Sequence, residues 1–179
     1  MPSVECSRPT TAGLDWSPLG LGRHALDSIA NRRAAMASLI DQIKYRPLAE
    51  RITLTEQLGH LAGVQSPHDL MMTSDEVKAM RHAGMQIGAH TMSHPILARL
   101  TDEQARQEIE GSKHFLEQLL GERVGLFAYP NGKPGDDYTP QSVDVVRSLG
   151  FDAAVSTHVG ALATGGVVYQ IPRFTQGDA

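Results

Sequence analysis

From Thr73 onward the sequence has a clear rhythm without an internal sequence repeat: an amphipathic run with helical spacing, a glycine, then a short apolar run. No other feature limits the fold as narrowly. Strands that follow one another through helices pair in parallel and bury their faces under those helices. Thr73 or Ser74 can cap the first helix, with Asp75 and Glu76 in its first turn and Gly84 at its end. Residues 85–89 then read as a strand. Thr101 opens the next helix with Gln104 three residues on, a capping-box pattern. Ala105, Ile109, Ser112, Leu116 and Leu119 give that helix a core stripe, and Gly121 stops it. Residues 124–129 read as a strand, 140–149 as a helix stopped by Gly150, 151–156 as a strand and 167–171 as a last strand.

The first part of the chain is punctuated differently. Residues 1–24 are rich in Pro, Gly, Ser and Thr and predict an irregular segment. From Ala25 to Tyr45 the pattern is helical, with Ile29, Ala30, Met36, Leu39, Ile40 and Ile43 mostly on one stripe. Pro47 breaks that run and starts a second helix, which ends near Gly63. Residues 64–72, with Pro67, read as a linker. The expected organisation is an irregular segment 1–24, a helical hairpin 25–70 and an α/β region 71–179.

At 179 residues the chain suits one domain with a real core. A net charge of -4 and a pI near 6.0 argue against a nucleic-acid or anionic-membrane surface. The single cysteine, Cys6, excludes an internal disulfide and a four-cysteine zinc site. No apolar run approaches the roughly 20 residues that span a bilayer. The opening MPSVECSRPTTAG has no apolar core of signal-peptide length, so nothing in it directs export and the compartment stays open.

Three segments can carry chemistry. In GAHTMSHP, His90 and His94 stand four apart, a spacing at which two imidazoles can share one metal ion. Pro95 disfavours helix at His94, so the pair is expected on a turn at the C-terminal end of a strand, where α/β proteins place their sites. Neutral imidazoles suit Zn²⁺, with Co²⁺ or Ni²⁺ as alternatives. The same spacing is compatible with two solvated loop histidines. In LFAYPNG an apolar strand ends in a turn that can aim backbone N–H groups at a negative oxygen, or that simply reverses the chain. In IPRF, Arg173 can orient a carboxylate bidentately or stand free at the surface. Of the remaining histidines, His82 and His114 are expected to be solvated on helices, and His158 follows a strand end close to the expected pocket. The Asp136-Asp137 pair, flanked by Pro and Gly, reads as a solvated loop.

Taken together, GAHTMSHP and LFAYPNGKPGD, with 35 residues from His94 to Tyr129, resemble the second and third motifs of the polysaccharide deacetylases, the NodB-homology or carbohydrate esterase 4 family. The resemblance covers roughly residues 70–175, and residues 14–70 resemble the helical insertion of a bacterial subgroup. It implies a distorted (β/α) barrel and a metal-dependent hydrolase that removes N-acetyl groups from chitin-like, peptidoglycan or exopolysaccharide substrates. By position, His90 and His94 would ligate the metal. Tyr129, Pro130, Asn131 and Gly132 would line the groove, with the Asn131 backbone N–H near the oxyanion. Arg173 would match a late arginine of the FAYPxG subgroup.

The departures from the family pattern bear on the same chemistry. No TFDD-like aspartate pair, source of the family's base and third ligand, precedes His90, and Ala128 stands where many members have arginine. The later DxxDW-like and LxH-like motifs are not recognisable. The expectation is therefore an incomplete barrel, the C-terminal part of such a domain, with two metal ligands, weak metal binding and little activity by itself. Its open sheet edge is expected to promote self-association. The alternative is an inactive remnant that binds a glycan or a partner.

Overall fold

In the computed structural model, which describes residues 13–64, 70–161 and 167–174, the chain divides into two units, Met1–His68 and Asp69–Ala179. The first unit begins with a hairpin where an irregular segment was expected. Strand β1 (Gly13–Asp15) pairs antiparallel with β2 (Arg23–Ala25), Gly13 opposite Ala25 and Asp15 opposite Arg23. The long loop between them hides the pairing from any local reading. It is closed by the Trp16 N–H on the Gly22 carbonyl at 2.8 Å and by the Arg23–Asp15 ion pair at 2.7 Å.

Helices α1 (Ile29–Ile43) and α2 (Leu48–Leu61) follow, the first capped by the Ser28 hydroxyl and the second starting directly after Pro47. The apolar stripe expected on α1 is only partly used. Its buried face runs through Ala35, Leu39 and Ile43, four residues apart, whereas Ile29, Met36 and Ile40 are exposed. Ile43 joins Trp16 and Leu21 in a small core flanked by Leu14, Leu54 and Leu58.

The second unit follows the expected rhythm. Helix α3 (Ser74–His82) has the Thr73–Glu76 capping box and α4 (Asp102–Leu120) the Thr101–Gln104 box. Helix α5 (Pro140–Ser148) starts from Thr139 with proline in its first turn. The strands are shorter than expected. Among the described residues of this unit only β3 (Leu126–Ala128) and β4 (Ala153–Val155) form a ladder, parallel, with Phe127 opposite Ala154. Residues 85–89 form no strand; Ala89 alone bridges to Phe127, in parallel. Residues 167–171 likewise form no strand. The Gln170 N–H bonds back to the Val167 carbonyl in a turn, and only Ile171 bridges, to Val155. The order Ala89, β3, β4, Ile171 is parallel throughout, and no closed barrel forms among the described residues.

Helices and strands of this unit share one core. Ile109 from α4, Val146 from α5, Phe127 and Ala154 from the strands, and Phe151 before β4 are at most 2% exposed. The Phe127 ring meets Tyr129 edge-on at 5.2 Å and Phe151 at 5.4 Å. Among the described residues no helix is long and apolar enough to cross a membrane.

Candidate functional site

Parallel pairing sends each segment out of the sheet at the same end, and the candidate residues all emerge there. Ala89 donates its N–H to the Leu126 carbonyl at 2.8 Å and accepts the Ala128 N–H at 2.9 Å. The next residue, His90, is thereby set beside β3. Its Nδ1 lies 2.7 Å from the Ala128 carbonyl oxygen, a contact that requires Nδ1 to donate and leaves the Nε2 lone pair free for a cation.

The chain then reverses within four residues. Thr91 has φ 63° and His94 φ 53°, both in the left-handed region. A β-branched residue rarely sits there, because its side chain crowds the backbone. The Thr91 hydroxyl answers this locally, donating to the His90 carbonyl at 2.5 Å and accepting the His94 N–H at 3.2 Å. The reversal returns the His94 ring edge-on to His90, with centroids 4.8 Å apart and planes at 73°. Both rings are exposed.

A turn after β3 completes this end of the sheet. Asn131 (φ 57°) and Gly132 (φ 79°) are both left-handed. Thr157, just past β4, ties the turn down: its hydroxyl donates to the Asn131 carbonyl at 2.7 Å and its N–H to the Gly132 carbonyl at 2.9 Å. At Gly132 a Cβ would stand 2.9 Å from the Thr157 nitrogen, so only glycine fits both the space and the backbone. With its carbonyl engaged, Asn131 keeps a free N–H: no acceptor takes it among the described residues. That N–H is what an oxyanion donor requires.

The other expected residues fall as follows. Tyr129 and Pro130 are buried, so of the turn only Asn131 is exposed. The Tyr129 ring stacks on Tyr138 at 3.8 Å, and its hydroxyl donates to the Tyr169 carbonyl at 3.0 Å. Tyr129 thus packs beneath the Asn131 turn and presents no side chain to solvent. Arg173 is exposed, its N–H bonded to the His158 carbonyl at 2.9 Å. It follows Ile171, three strand spacings of about 4.8 Å from Ala89, or roughly 14 Å across the sheet. His158 is exposed beside it, and His82 and His114 are exposed on their helices. His68 lies outside the described residues.

Asp137 is not the solvated loop residue it was expected to be. It is 2% exposed, and its carboxylate accepts the Lys133 N–H at 2.9 Å, closing the loop behind the Asn131 turn. An aspartate four residues after a Gly-Lys-Pro turn is the local signal for such a contact, and it is ambiguous by itself.

Burial, and secondarily the charge of neighbouring Tyr138, pushes the Tyr129 phenol well above its ordinary range. The folded state holds the neutral phenol, so the stabilisation is full below pH about 10 and is lost as pH rises beyond it. Burial raises the neighbouring Tyr138 phenol as well, so in an alkaline spectrophotometric titration fewer tyrosines should ionise near pH 10 in wild type than in unfolded protein, and Tyr129→Phe should narrow that difference.

Two of the donors that a catalytic zinc keeps are present; it typically has three from protein. His90 and His94 fit this role chemically, as exposed adjacent imidazoles, one already oriented through Nδ1. Among the described residues no group of three His, Cys, Asp or Glu side chains is placed to hold a metal ion.

Comparison with known proteins agrees with the motifs. The family model for polysaccharide deacetylases matches residues 55–154. The YxkH protein of Bacillus subtilis (strain 168), named as a polysaccharide deacetylase, is 25% identical over 113 residues, 63% of this chain and 39% of YxkH. The chain therefore spans about two fifths of that relative's length. Among solved structures, the Streptococcus pyogenes deacetylase PplD in complex with acetate superposes with a TM-score of 0.55 at 23% identity, over 60% of this chain and 46% of PplD. A polysaccharide deacetylase from Bacillus cereus gives 0.52 at 24% identity, over 59% and 33% of the two chains. The BpsB deacetylase domain from Bordetella bronchiseptica gives 0.53 at 17% identity, over 62% and 51%. These likenesses are of fold.

Proposed function

We propose, on the premise that this chain belongs to the polysaccharide deacetylase family, that it serves the hydrolytic removal of N-acetyl groups from an amino-sugar glycan, with His90 and His94 holding a divalent metal ion. The observation that carries this reading is the convergence of the two imidazoles at 4.8 Å, at the same sheet end as the Asn131 turn. The parallel order Ala89, β3, β4, Ile171 would then be one arc of a distorted (β/α) barrel.

The metal is Zn²⁺, with Co²⁺ or Ni²⁺ as alternatives, and when bound it would polarise the amide carbonyl and acidify a water. The chain's own residues do the rest of what is assigned here. The Ala128 carbonyl fixes the His90 tautomer. The Asn131 N–H faces the negative oxygen that develops as the amide is attacked. Gly132 and Thr157 keep that N–H in place. Among the described residues no third His, Cys, Asp or Glu joins the pair, and the reaction would need a third ligand and a carboxylate base beside it.

That same lack favours a second reading, a non-catalytic module that binds a glycan or a partner. Acetate release from N-acetylated chitooligosaccharides separates the two. Release is expected to be slow and abolished by a chelator. Release that ignores the chelator contradicts the metal reading; no release while metal is bound contradicts the hydrolase reading and favours the binding module.

A further inference from the structure

The turn that brings His90 and His94 together is held from outside itself. Glu108 lies on α4, and its carboxylate faces the turn. Oε2 accepts the Met92 N–H at 2.8 Å and the Ser93 N–H at 2.9 Å, and Oε1 accepts the Ser93 hydroxyl at 2.6 Å. Three donors from one dipeptide thus end on one carboxylate. Gly111, three residues along the same helix, leaves room for the Met92 side chain: a Cβ there would stand 3.2 Å from Met92 Cγ.

Met92 and Ser93 are bracketed by Thr91 and His94, two of the three non-glycine residues with left-handed backbone among the described residues. Such residues persist only where the surroundings over-determine them. The Thr91 hydroxyl bonds act within the turn itself. The Glu108 bonds tie the turn to a helix buried at Ala105, Ile109 and Ser112. A charged acceptor strengthens each of these bonds over a neutral one.

We propose that Glu108 is the positioning residue of the histidine pair. By gathering the Met92 and Ser93 N–H groups and the Ser93 hydroxyl, it keeps the turn in the left-handed form in which both imidazoles can share one cation. The cation-sharing part rests on the metal reading above; the hold on the turn does not.

The full chain is compared as wild type, Glu108→Ala and Glu108→Gln. In metal-free protein, amide exchange at Met92 and Ser93 is expected to quicken about tenfold or more in Glu108→Ala. Glu108→Gln should restore most of the protection, because its amide oxygen still accepts both N–H groups. Zn²⁺ affinity by calorimetry is expected to fall by about 10- to 100-fold in Glu108→Ala and to recover in Glu108→Gln. Unchanged exchange at Met92 and Ser93 in folded Glu108→Ala overturns the proposal. Wild type that takes up no Zn²⁺, with protection still lost in Glu108→Ala, supports the hold on the turn and refutes the metal reading. If Glu108→Ala does not fold, Glu108→Asp decides: its shorter side chain draws the acceptor back from both N–H groups, and exchange there as slow as in wild type overturns the proposal.

Discussion

Replacing His90 and His94 together with alanine should lower the affinity of the chain for Zn²⁺ by more than about 100-fold, the upper end of what losing a supporting partner alone does. Both donors of the site vanish, and no third His, Cys, Asp or Glu stands with them among the described residues to retain the ion. Either single variant leaves one imidazole, whose hold on a divalent ion is weak, so the singles should fall nearly as far. The fold should be little affected. Both residues are exposed, and the His90 ring is held by a single hydrogen bond among the described residues, to the Ala128 carbonyl. Stability should therefore change by no more than about 1 kcal/mol. Calorimetric titration with Zn²⁺, alongside urea unfolding of the same variants, measures both. An affinity that survives in the double variant places the ion elsewhere.

The opposite pattern is expected at Phe127. This residue is 2% exposed at the centre of β3, between the bridge to Ala89 and the ladder to Ala154, with its ring against Tyr129 and Phe151. Truncation to alanine removes a buried ring from a close-packed core and leaves a cavity, at a cost of about 3–5 kcal/mol. Against a typical total of about 5–15 kcal/mol, that is a large share. Urea unfolding should show the midpoint moving sharply down. Zn²⁺ affinity at low temperature, where the variant is still folded, should be far less affected than in the histidine variants. A loss under about 1 kcal/mol would mean that the sheet does not pack at Phe127.

How much of this was legible in the sequence depends on the range of the interaction. The capping boxes at Thr73 and Thr101 and the glycine stops at Gly84, Gly121 and Gly150 are local, and helices α3 to α5 begin and end where those residues say. The burial of Ala105, Ile109 and Ser112 on α4 likewise follows from spacing. Strand lengths were not legible. Residues 85–89 and 167–171 have strand-like composition, yet pairing depends on a distant partner, which bridges them at Ala89 and Ile171 and adds one bond, from the Ala154 N–H to the Val168 carbonyl. The hairpin at Gly13–Asp15 and Arg23–Ala25 was missed because its loop, not its strands, dominates the composition.

In the site, the histidine pair and the Pro-Asn-Gly turn stood out as motifs, and their meeting at one sheet end follows from parallel pairing. The burial of Tyr129 is the alternation of β3 carried two residues past Phe127. Glu108 left no signal at all: it reads as one more charge on a solvated helix face, and only the tertiary fold turns it towards Met92 and Ser93.

One divalent ion is expected to bind between His90 and His94, and X-ray absorption spectroscopy of the Zn²⁺-loaded chain would read its donors. Two imidazole nitrogens per zinc, at about 2.0–2.1 Å with the remaining positions filled by oxygen donors, are the expected result. A spectrum with one imidazole or none, or one unchanged in the His90→Ala, His94→Ala double variant, would contradict it.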